Sequence, residues 1–310
     1  MKLKQDHYIL LVIVLVFIVL ETGMRLFETR LSGNINHIHE IPEIVKTYTQ
    51  QEKPSIQFIG NSLINESVAI PKLDELLDQR YLVHKITPDG TSIWDWSMII
   101  ENQVLRPETD VRIDYLVMGF AWGLMSDAYR PNPSRLGGYF AEFSDYPELY
   151  QDGMRSFADF SEFSLGYVSK LFVNREAVRN KVMQTFIPHY KRYVREANQA
   201  AGEPEEPTKP VAQSAAQVQS YRIFDRLVER LQARGTQLVV IAMPVVSPYA
   251  IDPELIRHLQ QSGVTFIDER EMFSGVDGVY KDGIHLNARG SADFTHRLSA
   301  FFTRENMSGR

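Results

Sequence analysis

The chain of 310 residues opens with an apolar segment and continues as short apolar runs separated by helix-like periodicity. Residues 8–20 are continuously apolar, and helix-compatible residues extend this segment to 27. Because about 20 such residues cross a bilayer, we predict a transmembrane helix over 8–27 after a cytoplasmic N-terminus at 1–7. No small-residue cleavage motif follows, since Glu21 comes next, so an uncleaved anchor is favoured over a signal peptide.

The charges beside this helix give a weak orientation signal. Lys2 and Lys4 precede it, whereas Arg25 follows it in the company of acidic residues, so the positive-inside bias is small. We expect a single-pass protein whose folded part is extracytoplasmic, in the periplasm or on the outer face of the cytoplasmic membrane. Residues 28–53 are expected to form a juxtamembrane connection with some helix.

From residue 54 onward, short apolar runs alternate with amphipathic periodicity, which indicates βαβ units and a parallel sheet. The predicted strands are 56–60, 81–87, 114–120, 236–244 and 264–269. The predicted helices are 66–79, 93–104, 221–235, 254–263 and a last one ending at 303. The expected fold is α/β: a flavodoxin-like three-layer sandwich with a central five-stranded parallel sheet over 54–303, followed by a tail at 304–310.

Residues 121–220 interrupt this rhythm as an insertion. Aromatic residues are frequent over 122–172, where they either line an acyl or sugar site or pack in the insertion's own core. A basic, helix-compatible segment at 173–199 lies against anionic lipid or polymer, or is simply a solvated helix. Residues 200–217, rich in Pro, Glu and Ala, are predicted to be a mobile loop.

Composition excludes several classes of function. The net charge of −6 and pI of about 5.8 argue against nucleic acid as a partner. The absence of cysteine excludes a cysteine nucleophile and a thiolate metal site. His37 and His39 have no carboxylate or cysteine at ligand spacing, so no metal site is predicted, and we expect no cofactor.

The candidate chemistry lies in two distant segments. Ser62 follows the first predicted strand, and Asp282 and His285 lie three residues apart just before the last helix. A serine hydroxyl attacks a carbonyl when a base removes its proton and a third group orients that base. We predict Ser62 as nucleophile, His285 as base and Asp282 as orienting carboxylate, with Gly60 leaving open space for substrate above the strand end.

Simpler interpretations of the same residues exist. Ser62 or Asn61 is also a suitable helix cap, without any catalytic role. Three other histidines lie within strand or helix patterns and are poorer candidates for the base: His84, His258 and His296. Asp277 competes with Asp282, although its spacing to His285 requires a longer detour.

The two segments, FIGNSL at 58–63 and DGIHLN at 282–287, resemble the SGNH, or GDSL-like, hydrolase superfamily. A third stretch, PDGTSIWDW at 88–96, resembles its second block, which implies that the backbone N–H of Gly90 binds the oxyanion. Ala121 stands where the family's third block has an asparagine. Either the Trp122 indole or a residue of the insertion replaces that oxyanion donor, or the protein is a slow or specialised member.

The resemblance implies ester chemistry through an acyl-serine intermediate on a polysaccharide or other acyl-ester substrate. Similar membrane-anchored proteins acetylate alginate or take part in D-alanylation of teichoic acid beside a multi-spanning acyl-donor protein. We therefore expect an esterase or O-acyltransferase that acts on acetyl groups of an envelope or exported polysaccharide. Hydrolysis and transfer are not distinguished. The alternatives are a catalytically weak or inactive carbohydrate-binding or assembly subunit of an exopolysaccharide system, and a lipid-directed esterase.

Overall fold

The computed structural model describes residues 2–48, 53–106, 111–190, 192–194, 196 and 220–308. Contacts divide the chain into two compact units. We call Met1–His39 with Asn132–Val194 the anchor unit, and Glu40–Pro131 with Arg195–Arg310 the sheet unit. The predicted mobile loop at 200–217 lies outside the described residues.

The helices are numbered here in chain order. They are α1 Lys2–Phe27, α2 Gly33–Tyr48, α3 Ser62–Ser67, α4 Ile70–Leu76, α5 Ile93–Ile99, α6 Pro133–Arg135, α7 Tyr146–Asp152, α8 Phe157–Val168, α9 Lys170–Val173, α10 Arg175–Phe186, α11 Arg222–Ala233, α12 Pro253–Gln261 and α13 Ala288–Ser308. The strands are β1 Ser55–Ile59, β2 Leu82–Ile86, β3 Tyr115–Phe120, β4 Gln237–Ala242 and β5 Thr265–Asp268.

All five strands form one parallel sheet in the order β2-β1-β3-β4-β5. Ile59 of β1 is in register with Ile86 of β2 on one side and with Met118 of β3 on the other. This is the flavodoxin-like order, so the predicted fold class is confirmed. In such sheets the chain winds away in both directions from the first strand, which leaves a crevice at the carboxyl ends of β1 and β3.

Helices cover both faces of the sheet, because strand side chains alternate between the faces. On one face, Ile56 and Phe58 are fully buried in a core completed by α3, α4 and α13. On the opposite face, α11 packs against α5 and β4 with five buried apolar side chains: Ile223, Phe224, Leu227, Val228 and Leu231. Each such burial stabilises the fold by about 1.5–3 kcal/mol.

The single helix predicted over 66–79 is wrong in detail, since α3 and α4 are separate helices. Pro71 lies in the first turn of α4, where a missing N–H is harmless. In a continuous helix Pro71 would instead have to donate to the carbonyl of Ser67. That carbonyl accepts hydrogen bonds from the Ser291 and Thr295 hydroxyls of α13. The helix predicted over 93–104 has those bounds, with α5 continued by a π-helical turn over Ile100–Val104. The last helix, α13, runs to Ser308 rather than 303.

In the anchor unit, α1 is one uninterrupted helix whose apolar residues from Tyr8 to Leu20 are all exposed. The stretch Asp6–Arg30 is long and apolar enough to cross a membrane. The insertion packs its own aromatic core, in which buried Phe163 contacts Tyr146 and Phe143 with ring centroids 5.1 and 6.1 Å apart. Phe163 is therefore a core residue of the insertion, whereas Phe143 packs against it from the surface and is 47% exposed.

Candidate active site

Ser62 is the first residue of α3, directly beyond the carboxyl end of β1. Asn61 is the N-cap of this helix, and its side-chain oxygen accepts the Leu63 N–H at 3.0 Å. The cap therefore uses one of the free N–H groups at the start of this helix. For the Ser62 N–H itself, no acceptor lies in the described part of the chain. This amide stands beside the hydroxyl and is available to a ligand.

The space beside Gly60 is occupied, which corrects the prediction that it lies open to substrate. A Cβ on Gly60 would approach Cγ1 of Ile64 to 2.7 Å, and one on Gly119 would approach Cδ1 of Ile64 to 2.2 Å. Ile64 of α3 thus lies across the ends of β1 and β3. Both glycines are required because α3, which carries Ser62, packs so closely against the sheet.

The loop before α13 presents His285 to Ser62. The carboxylate of Asp282 accepts the backbone N–H groups of Ile284 at 3.0 Å and His285 at 2.7 Å, and the ring Nδ1 of His285 at 2.9 Å. On the other side of the ring, Nε2 lies 2.9 Å from Ser62 Oγ. The structure therefore brings together the three predicted side chains, in the order hydroxyl, imidazole and carboxylate.

Asp282 is held in its charged form. Partial burial raises the pKa of its carboxyl, but the hydrogen bonds from the backbone of His285 and Ile284 and from the His285 ring outweigh this and lower the pKa below 3.8. A charged carboxylate at Nδ1 favours the tautomer with the proton on that nitrogen. Nε2 is then an acceptor for the Ser62 hydroxyl proton. The imidazole is only 14% exposed, so little water competes for it.

Gly90 lies in the turn between β2 and α5, with φ of +65°, a conformation that suits glycine. This turn is tied to the loop before Ser62 by Thr91, whose carbonyl accepts Asn61 Nδ2 at 3.2 Å and whose hydroxyl donates to the Gly60 carbonyl at 2.9 Å. The Trp96 indole in turn donates to the Thr91 hydroxyl at 2.9 Å. The oxyanion role of Gly90 stays a prediction.

Ala121, at the position of the family's third-block asparagine, is fully buried in the apolar core. Trp122 follows with φ of +49°, an uncommon backbone conformation for a residue with a side chain. Its ring lies on Tyr249, with centroids 5.8 Å apart, and the Tyr249 hydroxyl donates to the carbonyls of Phe120 and Met243. The turn after β3 is therefore well fixed, and a role for Trp122 toward substrate stays a prediction.

The other candidates for the base and for the orienting carboxylate lie away from Ser62. Both ring nitrogens of His258 face carboxylates, with Asp225 at 2.8 Å and Glu254 at 3.2 Å. Nε2 of His84 lies 2.9 Å from the Thr47 hydroxyl, and burial lowers the pKa of this imidazole. Two further competitors lie in other places: His296 is exposed on α13, and Asp277 lines an open pocket beside Arg270.

Sequence reasoning did not assign roles to Thr91 and Trp96. Both lie inside the stretch 88–96 that resembles the family's second block, so the signal was present. The contribution of Thr91 depends on contacts with Gly60 and Asn61, some 30 positions earlier, that periodicity does not reveal. Trp96 acts through its hydrogen bond to Thr91. In the described ranges there is no cluster of three or more metal-binding side chains. One of the two early histidines, His39, pairs with Glu28 at 3.0 Å.

Comparison with protein-family models and with curated protein sequences finds no match. Among solved structures, the chain is similar to a catalytic mutant of an acetylxylan esterase from Geobacillus stearothermophilus, with TM-score 0.39 and 11% identity over 81% of this chain and 93% of that one. It is also similar to a GDSL-like lipase from Bacteroides thetaiotaomicron, with TM-score 0.38 and 9% identity over 87% of this chain and 99% of that one. At these scores the likeness carries no information about activity.

Proposed function

We propose that the protein is a serine esterase or O-acyltransferase that works through an acyl-serine intermediate. The observation that carries the proposal is the continuous hydrogen-bonded series from Ser62 Oγ through the His285 ring to Asp282, with 2.9 Å at each step. A serine that served only as a helix cap would not need an imidazole oriented by a carboxylate. Moreover, Asn61 already caps this helix.

The arrangement performs acyl transfer in two halves. As Ser62 Oγ attacks the ester carbonyl carbon, Nε2 of His285 takes the hydroxyl proton, and Asp282 stabilises the imidazolium that forms. The Ser62 N–H stabilises the developing oxyanion, with Gly90 N–H as the predicted second donor. The C–O bond to the leaving alcohol then breaks, and His285 returns the proton to that oxygen.

The second half regenerates the enzyme. A water molecule or a sugar hydroxyl gives its proton to His285 and attacks the acyl carbon, and Ser62 leaves as the free hydroxyl when its proton returns. Hydrolase and transferase thus differ only in the acceptor. Both use the same three side chains.

We further propose a setting and a substrate class. The helix α1 would anchor the protein in the cytoplasmic membrane with the sheet unit outside, where the substrate is the acetyl ester of an envelope or exported polysaccharide. A multi-spanning membrane protein would supply the acyl group if the reaction is transfer. The apolar exposed surface of α1 supports the anchor, and the resemblance in the segments around Ser62 and His285 supports the ester substrate.

Labelling and turnover of the full-length protein in detergent test the chemistry. The full chain is needed because Glu28, just beyond α1, is buried within the anchor unit. We expect a fluorophosphonate probe to label the wild type but not Ser62→Ala, and p-nitrophenyl acetate to be hydrolysed faster than longer-chain esters. Equal labelling of both proteins would refute the nucleophile assignment, whereas preference for long acyl chains would indicate a lipid-directed esterase.

A second function, a carbohydrate-binding or assembly subunit without turnover, is favoured by one observation. Ala121 offers no donor where the resembling family has an asparagine, and loss of one oxyanion donor typically costs about 10²–10³-fold in rate. Absence of both labelling and turnover in the wild type, together with retained polysaccharide binding, would support this function instead.

A further inference from the structure

The carboxylate of Glu21, one residue past the continuous apolar run of α1, is bound by the insertion. It accepts hydrogen bonds from the Ser169 hydroxyl and the Lys170 N–H, both at 2.8 Å, and from the Leu171 N–H at 3.1 Å. Arg25, one turn further along α1, pairs with the same carboxylate at 2.9 Å. Four donors therefore satisfy one acidic group at this end of the helix.

Three further hydrogen bonds hold the insertion along α1 and just beyond its end. The Arg25 guanidinium donates to the Val168 carbonyl at 2.8 Å. Two turns beyond Glu21, the buried carboxylate of Glu28 accepts Asn174 Nδ2 at 2.8 Å and the Tyr139 hydroxyl at 2.9 Å. The insertion thus runs beside the last turns of α1 and is held there by side-chain and backbone hydrogen bonds.

The length of α1 places these contacts within about 10 Å of the membrane boundary. At a rise of about 1.5 Å per residue, the 13 residues of 8–20 cover only about 20 Å, whereas a bilayer core is about 30 Å thick. Residues 8–27 cover about 30 Å. With residues 8–27 across the core, Arg25 lies about 3 Å and Glu21 about 9 Å inside the boundary at Phe27. At that depth an unpaired carboxylate is unfavourable. The donors of the insertion remove that penalty.

Near Glu21 and Arg25, the insertion carries exposed apolar side chains. We call Leu165–Leu171, where α8 ends and α9 begins, the α8–α9 junction. Within it, Leu165 and Val168 lie three residues apart on one side of α8 and are 45% and 61% exposed. On α1 itself, Leu26 and Phe27 are also exposed. Apolar side chains from both segments therefore lie in the part of the unit that reaches the bilayer edge.

We propose that the α8–α9 junction is a second membrane contact, seated in the lipid interface beside the anchor helix with Leu165 and Val168 among the lipid chains. This inference rests on the anchor included in the proposed function. The hydrogen bonds that join the junction to Glu21 and Arg25 hold it directly against the membrane-spanning helix. Lipid is therefore the partner that we expect at its exposed apolar side chains. The insertion is then a membrane-docking element as well as a fold of its own.

The natural absence of cysteine makes the test direct. Full-length Val168→Cys and Leu165→Cys variants carry a nitroxide spin label in proteoliposomes, and collision rates are measured with oxygen, which partitions into lipid, and with a water-soluble nickel chelate. Leu15→Cys, in the middle of α1, is the control for lipid. Val276→Cys, an exposed apolar position in a loop of the sheet unit, is the control for water.

We expect the ratio of oxygen to nickel collisions at Val168 and Leu165 to exceed that at Val276 several-fold and to approach that at Leu15. Nickel access equal to that at Val276 would overturn the proposal, because the junction would then lie in water. Exclusion of both reagents would also overturn it and would indicate a protein partner. A water-like result at Leu15 would mean that the anchor itself is wrong, which separates that failure from failure at the junction.

Discussion

Two histidines of the sheet unit are each paired with an aspartate, and the difference between them shows what makes one a candidate base. Nδ1 of His285 faces Asp282 at 2.9 Å, and Nδ1 of His258 faces Asp225 at 2.8 Å. The partner of the second ring nitrogen, Nε2, distinguishes the two histidines. In His285 it faces the Ser62 hydroxyl, whereas in His258 it faces another carboxylate, Glu254.

Pairing with a carboxylate is therefore a common structural device, and the catalytic geometry needs a proton donor on the other side of the ring. His258 lies on α12 and is bound to α11 through Asp225, so its hydrogen bonds hold two helices together. His285 lies in a loop at the carboxyl edge of the sheet, where ligands of such folds bind. This contrast supplies matched controls for each residue of the site.

The largest expected effect comes from removing the two rings. His285→Ala should lower kcat/KM for p-nitrophenyl acetate by about 10³-fold or more, because Ser62 loses its base. His258→Ala should leave kcat/KM within about twofold and lower the free energy of unfolding by about 1–3 kcal/mol, because carboxylates lose their partner. Equal losses of activity in the two variants would contradict the assignment of the base.

Removing the orienting charge should have the next largest effect. Asp282→Asn should lower kcat by about 10²–10⁴-fold with little change in KM, since an amide at Nδ1 no longer enforces the productive tautomer. Asp225→Asn makes the same chemical change beside His258 and should leave kcat unchanged. Steady-state kinetics on both variants measure the difference, and a wild-type kcat for Asp282→Asn would remove Asp282 from the site.

A smaller effect is expected at the N-cap. Asn61 is buried, and its amide donates to the Thr91 carbonyl while its oxygen accepts the Leu63 N–H. Asn61→Asp keeps the acceptor but puts a carboxylate against a carbonyl, so kcat should fall about tenfold and unfolding should become easier by about 1–3 kcal/mol. Asn65→Asp adds the same charge to α3 and serves as control. Identical behaviour of the two variants would show that the link to Thr91 is unimportant.

The smallest effect concerns pH. Because hydrogen bonds lower the pKa of Asp282 below 3.8, its ionised form stabilises the fold above that value, and this stabilisation is lost as the pH falls through the lowered pKa. The difference in unfolding free energy between wild type and Asp282→Asn should therefore persist above pH 3.8 and shrink below it. Urea unfolding at a series of pH values measures it, and a difference that grows on acidification would contradict the sign.

The sequence predicted the sheet and the three site residues because their signals are local. Short apolar runs mark the strands, Ser62 follows one directly, and Asp282 and His285 share one turn. The reason given for Gly60 was wrong, since its missing side chain accommodates Ile64 rather than substrate. That contact, and the matching one at Gly119, depend on how α3 packs across two strands, which no local pattern encodes.

The contacts of the insertion could not be predicted for a similar reason. The residues that bind Glu21 lie about 150 positions later, and they include backbone N–H groups that every sequence possesses. Contacts group Asn132–Val194 with Met1–His39, whereas composition marked a longer interruption at 121–220. Polar partners of this kind have no periodicity, so only the folded chain reveals them.

The packing of Ile64 against Gly60 and Gly119 has a consequence for how the site can be inactivated by mutation. The helix α3 has only six residues and carries both Ile64 and Ser62, so a shift of this helix moves the hydroxyl as well. We expect a methyl group at Gly60, which would lie 2.7 Å from Cγ1 and 3.1 Å from Cβ of Ile64, to push α3 and to move the Ser62 hydroxyl away from the His285 ring. All three reactive side chains would then remain chemically intact in a protein whose serine is out of reach of its base.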